Sequence, residues 1–372
     1  MSKKLLHTPE GVRDIYGDEY ERKLAVSANV HHTMNLFGYQ DIQTPSFEFF
    51  DVFSQEIGTT PSKELYKFFD KEGNTLVLRP DFTPSIARCA AKYFADEPGS
   101  LRFCYQGNAF CNTTELQGKL KESTQIGSEL IGDDSAKADA EIAALMIESL
   151  LSSGLKNFQI SIGEVDYFKG ICDQAGLSDE MKDELREFVS IKNYFGAEEY
   201  LIRNNVPELY RNMILKAADL FGDADVLREA KATVSNQRSL DAINRLLDIY
   251  DALCAYGLEK YVSFDLGMLS KYNYYTGVIM KAYTYGIGDA VANGGRYDSL
   301  LSCFGKNKPA IGFMIVIDSL MEALRRQKID VETPSSSRRI TYSDADYFEK
   351  VAEAERLRRD GVSVILVPEV RA

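Results

Sequence analysis

Ser123-Thr124-Gln125-Ile126-Gly127-Ser128-Glu129-Leu130-Ile131 decides the fold class. With a period of two, Gln125, Gly127 and Glu129 share one face of a strand, and Ile126, Ser128 and Leu130 lie behind it. Working outward, Leu65 to Phe69, Leu76 to Leu78 and Leu101 to Gln106 read as short strands, with Gly73-Asn74 as a hairpin turn between the first two. Tyr39 to Pro45 reads as extended, its end held to an edge or interface position by the proline. Downstream, Tyr261 to Leu266, Tyr274 to Tyr285 and Ala310 to Val316 have strand character, and Gly286-Ile287-Gly288-Asp289 turns the second back into Ala290 to Ala292. Long antiparallel strands rather than regular strand–helix alternation point to an α+β fold, an antiparallel sheet flanked by helices. Gly286-x-Gly288 lacks the third glycine of a dinucleotide fingerprint, and no Gly-Lys-Ser/Thr phosphate loop occurs.

The helices frame this sheet. Asp18 to Phe37 is helical and ends at Gly38, with Leu24, Ala28, Met34 and Leu36 as a rough apolar stripe. Residues 135–151 form a stronger helix, its stripe made by Ile142, Leu145, Met146 and Leu150. From about Lys169 to Tyr256 the texture is helical only, as in an inserted subdomain, with Leu240, Ile243, Leu246, Leu247 and Tyr250 spaced by three or four. A further helix runs from about Asp318 to Arg326. The expected division is a main domain over 1–326 with its insertion over about 169–256, a linker over 327–337, and a strand–helix–strand unit over 338–372. That last unit is too short to bury a core unaided and reads as a remnant or a docking element.

Composition narrows the function. The 372 residues are 45% hydrophobic and 27% charged, close to the globular average. A net charge of −13 disfavours phosphate backbones as partners. No apolar run approaches the ~18 residues of a membrane span, and the N-terminus turns polar at once, so a cytoplasmic protein is expected. Cys89, Cys104, Cys111, Cys172, Cys254 and Cys303 form no CxxC pair and read as reduced thiols. His7, His31 and His32 are the only histidines, which leaves little room for metal or histidine-based catalysis; no metal and no cofactor are expected.

Three stretches stand out: Leu78-Arg79-Pro80-Asp81-Phe82-Thr83-Pro84 through Arg88; Arg102 through Phe110 to Glu129; and Ala292-Asn293-Gly294-Gly295-Arg296-Tyr297-Asp298 followed by Ala310-Ile311-Gly312-Phe313. Over roughly residues 8–325 they resemble the catalytic domain of the class II histidyl-tRNA synthetases. Thr44-Pro45 is similar to the first motif, which in that family builds a dimer interface. Tyr105 to Phe110 with the strand through Glu129 resembles the second, and Ala310 to Leu320 the third. Tyr274-Tyr275 and Gly294 to Asp298 resemble segments peculiar to histidine-specific members.

Joining a carboxylate to the α-phosphate of ATP brings two anions together, so the reaction needs fixed cations, for which arginine is suited. The family carries an arginine directly after the motif-two phenylalanine; here that position is Cys111. A second, four residues before the tyrosine pair, is Ser270. The third closes motif three and is Ser319, beside Asp318. Loss of one such group costs about 10²–10³ in rate, so three losses imply that adenylate formation has gone. The amino-acid pocket is kept. The resemblance implies that Asp81, Thr83 and Gln125 hold an α-ammonium, that Glu129 and Tyr275 grip an imidazole, and that Tyr297 forms a wall. Gln125 and Glu129 are ~13 Å apart along one strand face, a span suited to both ends of histidine, and Gly127 between them leaves room for a ligand. The competing reading is that Glu129 and Asp81 only pair with Arg79, Arg88 or Arg296.

A synthetase-like body without the catalytic arginines or a full anticodon domain resembles the regulatory subunits of ATP phosphoribosyltransferase. That resemblance implies a non-catalytic partner of the short-form catalytic subunit in the first step of histidine biosynthesis, conveying feedback by L-histidine. It also implies a homodimer through the Thr44-Pro45 region within a larger hetero-oligomer. Arg356, Arg358, Arg359 and Arg371 read as a solvated face, so tRNA binding is not expected. An active histidyl-tRNA synthetase and a synthetase-like tRNA or amino-acid sensor remain as alternatives.

Overall fold

A computed structural model describes residues 6–53, 60–113, 120–269, 275–333 and 337–369. Helix α1 (Gly17–Leu36) leads into β1 (Gln40–Asp41) and β2 (Phe47–Phe49). Strands β3 (Lys67–Phe69) and β4 (Thr75–Leu78) form the expected hairpin, and Gly73 in its turn has φ +86°, a left-handed conformation that favours glycine. Helix α2 (Thr83–Tyr93) precedes the long hairpin of β5 (Leu101–Phe110) and β6 (Glu122–Ile131). Helix α3 (Ala136–Ser152) is capped by Ser135, whose Oγ accepts from the Ala138 amide at 3.2 Å.

Strand β7 (Phe158–Glu164) passes directly into α4 (Val165–Gln174), followed by α5 (Asp179–Ser190), α6 (Tyr194–Arg203) and α7 (Glu208–Asp219). Then come β8 (Phe221–Gly222), α8 (Asp225–Thr233) and α9 (Gln237–Tyr256). Strands β9 (Val262–Asp265), β10 (Val278–Thr284), β11 (Ala292–Arg296) and β12 (Ala310–Val316) lead to α10 (Ile317–Arg326). Beyond it lie β13 (Arg338–Tyr342), α11 (Tyr347–Arg359) and β14 (Val364–Pro368).

The main sheet runs in the order β1-β5-β6-β12-β11-β10-β7-β9-β8. It is antiparallel except where β1 joins β5 and where β7 joins β9. Its back face is apolar and covered by α1, α3 and α10; Ile126, Leu130, Phe313 and Ile315 are buried there with Val30, Leu145 and Leu320. The other face carries the candidate site residues Gln125 and Glu129. The register sets Glu129 between Phe103 of β5 and Gly312 of β12, and Gln125 between Gly107 and Val316.

Three sequence expectations change. The helical insertion is not wholly helical, because Phe221 and Gly222 pair with Phe264 and Asp265 across β8 and β9. Two residues are too few to register a period of two. In α1 the buried stripe is Val26, Val30 and Met34, while Leu24 and Leu36 are exposed. The buried stripe recurs every four positions and shares only Met34 with the expected one, so tertiary packing chooses the face. In the compositional linker, Ile329 and Val331 pack against the main core; Pro334 to Ser336 lie outside the described residues. The C-terminal unit buries Ile340, Ala354 and Val364 in a cluster of its own beneath the parallel pair β13 and β14.

Candidate functional site

Glu129 lies on that face among the candidate residues and is 1% exposed. Thr83 Oγ1, at the first residue of α2, donates to its Oε1 at 2.7 Å, and the Tyr297 hydroxyl donates to its Oε2. Burial pushes the Glu129 carboxyl up to about 8; the hydrogen bonds from Tyr297 and Thr83 act the other way, and the charge of Asp81 adds to the rise. The arginines that could have neutralised it are engaged elsewhere. Arg88 Nη2 binds Glu48 at 2.7 Å. Arg296 Nη2 binds Asp139 at 2.6 Å and its Nη1 binds Asp298 at 3.0 Å. Arg79 donates to the carbonyls of Thr44 and Asn108 and lies 3.8 Å from the centroid of the Phe82 ring. The Glu129–arginine pairing weighed from sequence is therefore not how this carboxylate is held.

Four glycines shape the floor. A Cβ on Gly312 would lie 1.6 Å from Glu129 Oε2, and one on Gly295 would lie 2.6 Å from the Tyr275 ring. One on Gly127 would meet the Tyr105 hydroxyl at 2.5 Å, and one on Gly107 would meet Arg79 Nη2 at the same distance. Gly127, Gly295 and Gly312 are thus the seats of Tyr105, Tyr275 and Glu129, and Gly107 that of the Arg79 guanidinium. This corrects the expectation for Gly127, whose open space receives the Tyr105 phenol rather than a ligand.

Tyr105 is the residue that sequence reasoning missed. Its ring stacks on Phe82, centroids 4.4 Å apart, and its fully buried hydroxyl is held well above the usual phenol range, first by burial and then by the charges of Glu129 and Asp81. The signal was present in the alternation of Phe103, Tyr105 and Gly107 along β5, which puts Tyr105 opposite Gly127. Tyr275 is likewise raised by burial, then by Glu129 and Asp81, so these groups share one site. Tyr297 is more than a wall, because it hydrogen-bonds the central carboxylate. Gln125 lies on the same strand face, and its buried Oε1 has no hydrogen-bond partner among the described residues. Tyr274 and Ser270 lie outside the described residues.

The comparisons follow this geometry. A family described as Histidyl-tRNA synthetase matches residues 11–320. A protein of Acetivibrio thermocellus named ATP phosphoribosyltransferase regulatory subunit is 41% identical over 98% of this chain and 87% of its own length. One of the same name from Ruminiclostridium cellulolyticum is 40% identical with the same coverage. The chain belongs to the ATP phosphoribosyltransferase regulatory subunit family. A crystal structure described as an ATP phosphoribosyltransferase regulatory subunit/histidyl-tRNA synthetase from Bacillus halodurans C superposes with a TM-score of 0.90 at 34% identity, covering 98% of this chain and 93% of that one. Histidyl-tRNA synthetase from Nostoc sp. PCC 7120, at 18% identity and a TM-score of 0.83, covering 98% of this chain and 86% of that one, shares the fold. The α+β, class II synthetase-like architecture expected from the motifs is therefore the architecture observed.

In this member of the regulatory subunit family, the regions where a synthetase would need cations carry other chemistry. Burial pushes the Cys111 thiol up to about 11, and the charges of Asp81 and Glu64 add to it, so the sulfur faces an acidic rather than a cationic surround. Ser319 follows Asp318, whose carboxylate is occupied by Lys23 Nζ at 2.7 Å and by the Thr124 amide at 2.7 Å.

Proposed function

We propose that this chain is a non-catalytic regulatory subunit of ATP phosphoribosyltransferase that binds L-histidine at Glu129 and conveys feedback to a separate short-form catalytic subunit. The observation that carries the ligand reading is a buried carboxylate held by a phenol and a hydroxyl rather than by arginine. Each of its oxygens keeps a second lone pair for a ligand N–H. An imidazole N–H meets Glu129, and Tyr275 serves the other ring nitrogen. The α-ammonium is placed among Asp81, Thr83 and the unpartnered Gln125 Oε1. Cys111 and Ser319, with Ser270, leave the site without the cations that adenylate chemistry requires.

The regulatory step is linkage. Histidine that binds one quaternary state more tightly shifts the assembly toward that state, and the catalytic subunit's activity follows. The proposed assembly is a cytoplasmic hetero-oligomer containing a homodimer of this chain paired through the Thr44-Pro45 region. The carbonyls of Thr44 and Pro45 are clamped by Arg79 at 3.0 and 3.4 Å, which gives that segment a fixed shape. The proposed division of the chain is a body over 1–326 with its insertion over 169–256, a linker over 327–337 and a terminal unit over 338–372. The net charge of −13 argues against tRNA as a partner.

The test is to assay a short-form ATP phosphoribosyltransferase with and without this chain and to titrate histidine into both mixtures. Co-purification, activation by the chain and histidine inhibition lost in Glu129→Ala are the expected results. Histidine-dependent ATP–pyrophosphate exchange by the purified chain alone would overturn the reading.

A further inference from the structure

A second cluster lies on the sheet's edge, away from Glu129. The parallel register of β1 and β5 sets Asp41 directly opposite Cys104, and α1 crosses them so that His31 and Asn35, one turn apart, face the pair. His31 Nε2 is 2.5 Å from Asp41 Oδ1, and Cys104 Sγ is 3.6 Å from the same oxygen. The sulfur is also 3.7 Å from Asn35 Oδ1 and 3.8 Å from the Tyr39 carbonyl. One thiol hydrogen thus faces three oxygen acceptors and can serve only one of them at a time. The nitrogen, oxygen and sulfur of the three side chains all lie within 4.8 Å of one another.

We propose that His31, Asp41 and Cys104 bind a divalent transition-metal ion of borderline softness, with zinc as the natural occupant and Asn35 Oδ1 or water as the fourth ligand. Zinc–nitrogen and zinc–oxygen bonds of about 2.0–2.1 Å and zinc–sulfur bonds of about 2.3 Å imply tetrahedral edges of roughly 3.6 Å for S···O and 3.3 Å for N···O. The Cys104–Asp41 separation already has the first value. The His31–Asp41 pair must open by under an ångström, which the exposed Asp41 carboxylate, 67% accessible, allows by rotation. Binding replaces the S–H bond by an S–metal bond and releases that proton to water. The ion adds a direct link from α1 to the β1–β5 pair, which the strand ladder already joins.

The experiment uses the full chain, stripped with a chelator and titrated with cobalt(II) alone, without histidine, which is itself a chelator. Expected are one equivalent bound, visible bands of a tetrahedral cobalt site, a near-ultraviolet sulfur-to-cobalt charge-transfer band, and displacement of all of these by zinc. Cys104→Ser removes the charge-transfer band. His31→Gln, at a half-exposed helical position, weakens binding by more than about tenfold, the lower end of what even an outer ligand partner is worth. Cys303→Ala, at an exposed thiol elsewhere, leaves the spectrum unchanged. Zinc raises the melting temperature of the parent chain and not that of His31→Gln. Absence of the charge-transfer band from the parent chain, its survival in Cys104→Ser, or undiminished affinity in His31→Gln would overturn the proposal. Should Cys104→Ser not fold, the His31→Gln titration decides.

Discussion

The phenol of Tyr297 donates to Oε2 of Glu129, 168 residues earlier in the chain, and so joins the loop after β11 to the middle of β6. With Thr83 on the other oxygen, a carboxyl 1% exposed is kept without a cationic partner among the described residues. A polar group retained on such terms weakens the fold unless a ligand uses it.

Glu129→Gln is accordingly expected to separate affinity from stability. Above pH 8, where the Glu129 carboxyl is ionised, histidine binding should fall on the order of 10- to 100-fold, the equivalent of the ~1.5–3 kcal/mol of a hydrogen bond to a charged group. Urea midpoints at pH 8 should stay level or rise. Calorimetry showing unchanged affinity would remove Glu129 from the site.

The same carboxyl gives a pH dependence of known sign. Its value of about 8 in the folded chain exceeds the ordinary 4.5, so between those limits the folded state keeps a proton that the unfolded state has lost. Stability contributed by this group is present below about pH 4.5, declines as pH rises, and levels off above 8, with a slope of up to about 1.4 kcal/mol per pH unit. Glu164, raised to about 7 chiefly by burial, adds a slope of the same sign over a narrower range. The measurement is therefore the difference in unfolding free energy between the parent chain and Glu129→Gln at pH 5.5 and 8.5. The variant should lose less stability across that interval.

Asp139 makes the contrast. It is fully buried and receives Arg296 at 2.6 Å and Arg245 at 2.6 Å, so here the charge is neutralised. Asp139→Asn should cost about 1.5–3 kcal/mol, because it removes the charge shared by Arg245 and the 2%-exposed Arg296 and leaves Arg296 only Asp298 and the Asp133 carbonyl. Denaturant unfolding would read that loss directly.

Removal of residues 338–372 should leave histidine affinity unchanged and the main transition within a few degrees of the full chain. Ile340, Ala354 and Val364 pack on one another and not within the main hydrophobic core. Differential scanning calorimetry of the shortened chain, alongside the histidine titration, checks this. A loss of main-body stability would mean that the unit is docked more firmly than its packing indicates.

What the sequence disclosed follows from range. Strand β6, the Gly73 turn and α3 rest on periodicities and turn residues contained within a few positions, and all three stand as read. The cluster of Asp81, Thr83, Glu129, Tyr275 and Tyr297 was reached through resemblance, since no local rule places residues 129 and 297 together. Strand β8 was too short to show a period. Tyr105 was hidden because its role depends on a glycine in another strand. His31, Asp41 and Cys104 escaped for a similar reason: they are far apart along the chain, and only the β1–β5 register and the crossing of α1 bring them together.

The glycine seats carry a last consequence. Because Gly127, Gly295 and Gly312 each receive a different side chain of the candidate site, the floor is backbone, and its contour is written in missing side chains. Such a surface can be spoiled by the smallest addition and cannot be retuned by degrees. A single methyl group at Gly312 evicts Glu129, and one at Gly295 evicts Tyr275. Drift in what this pocket accepts must therefore begin at its rim, at Asp81, Thr83 or Gln125.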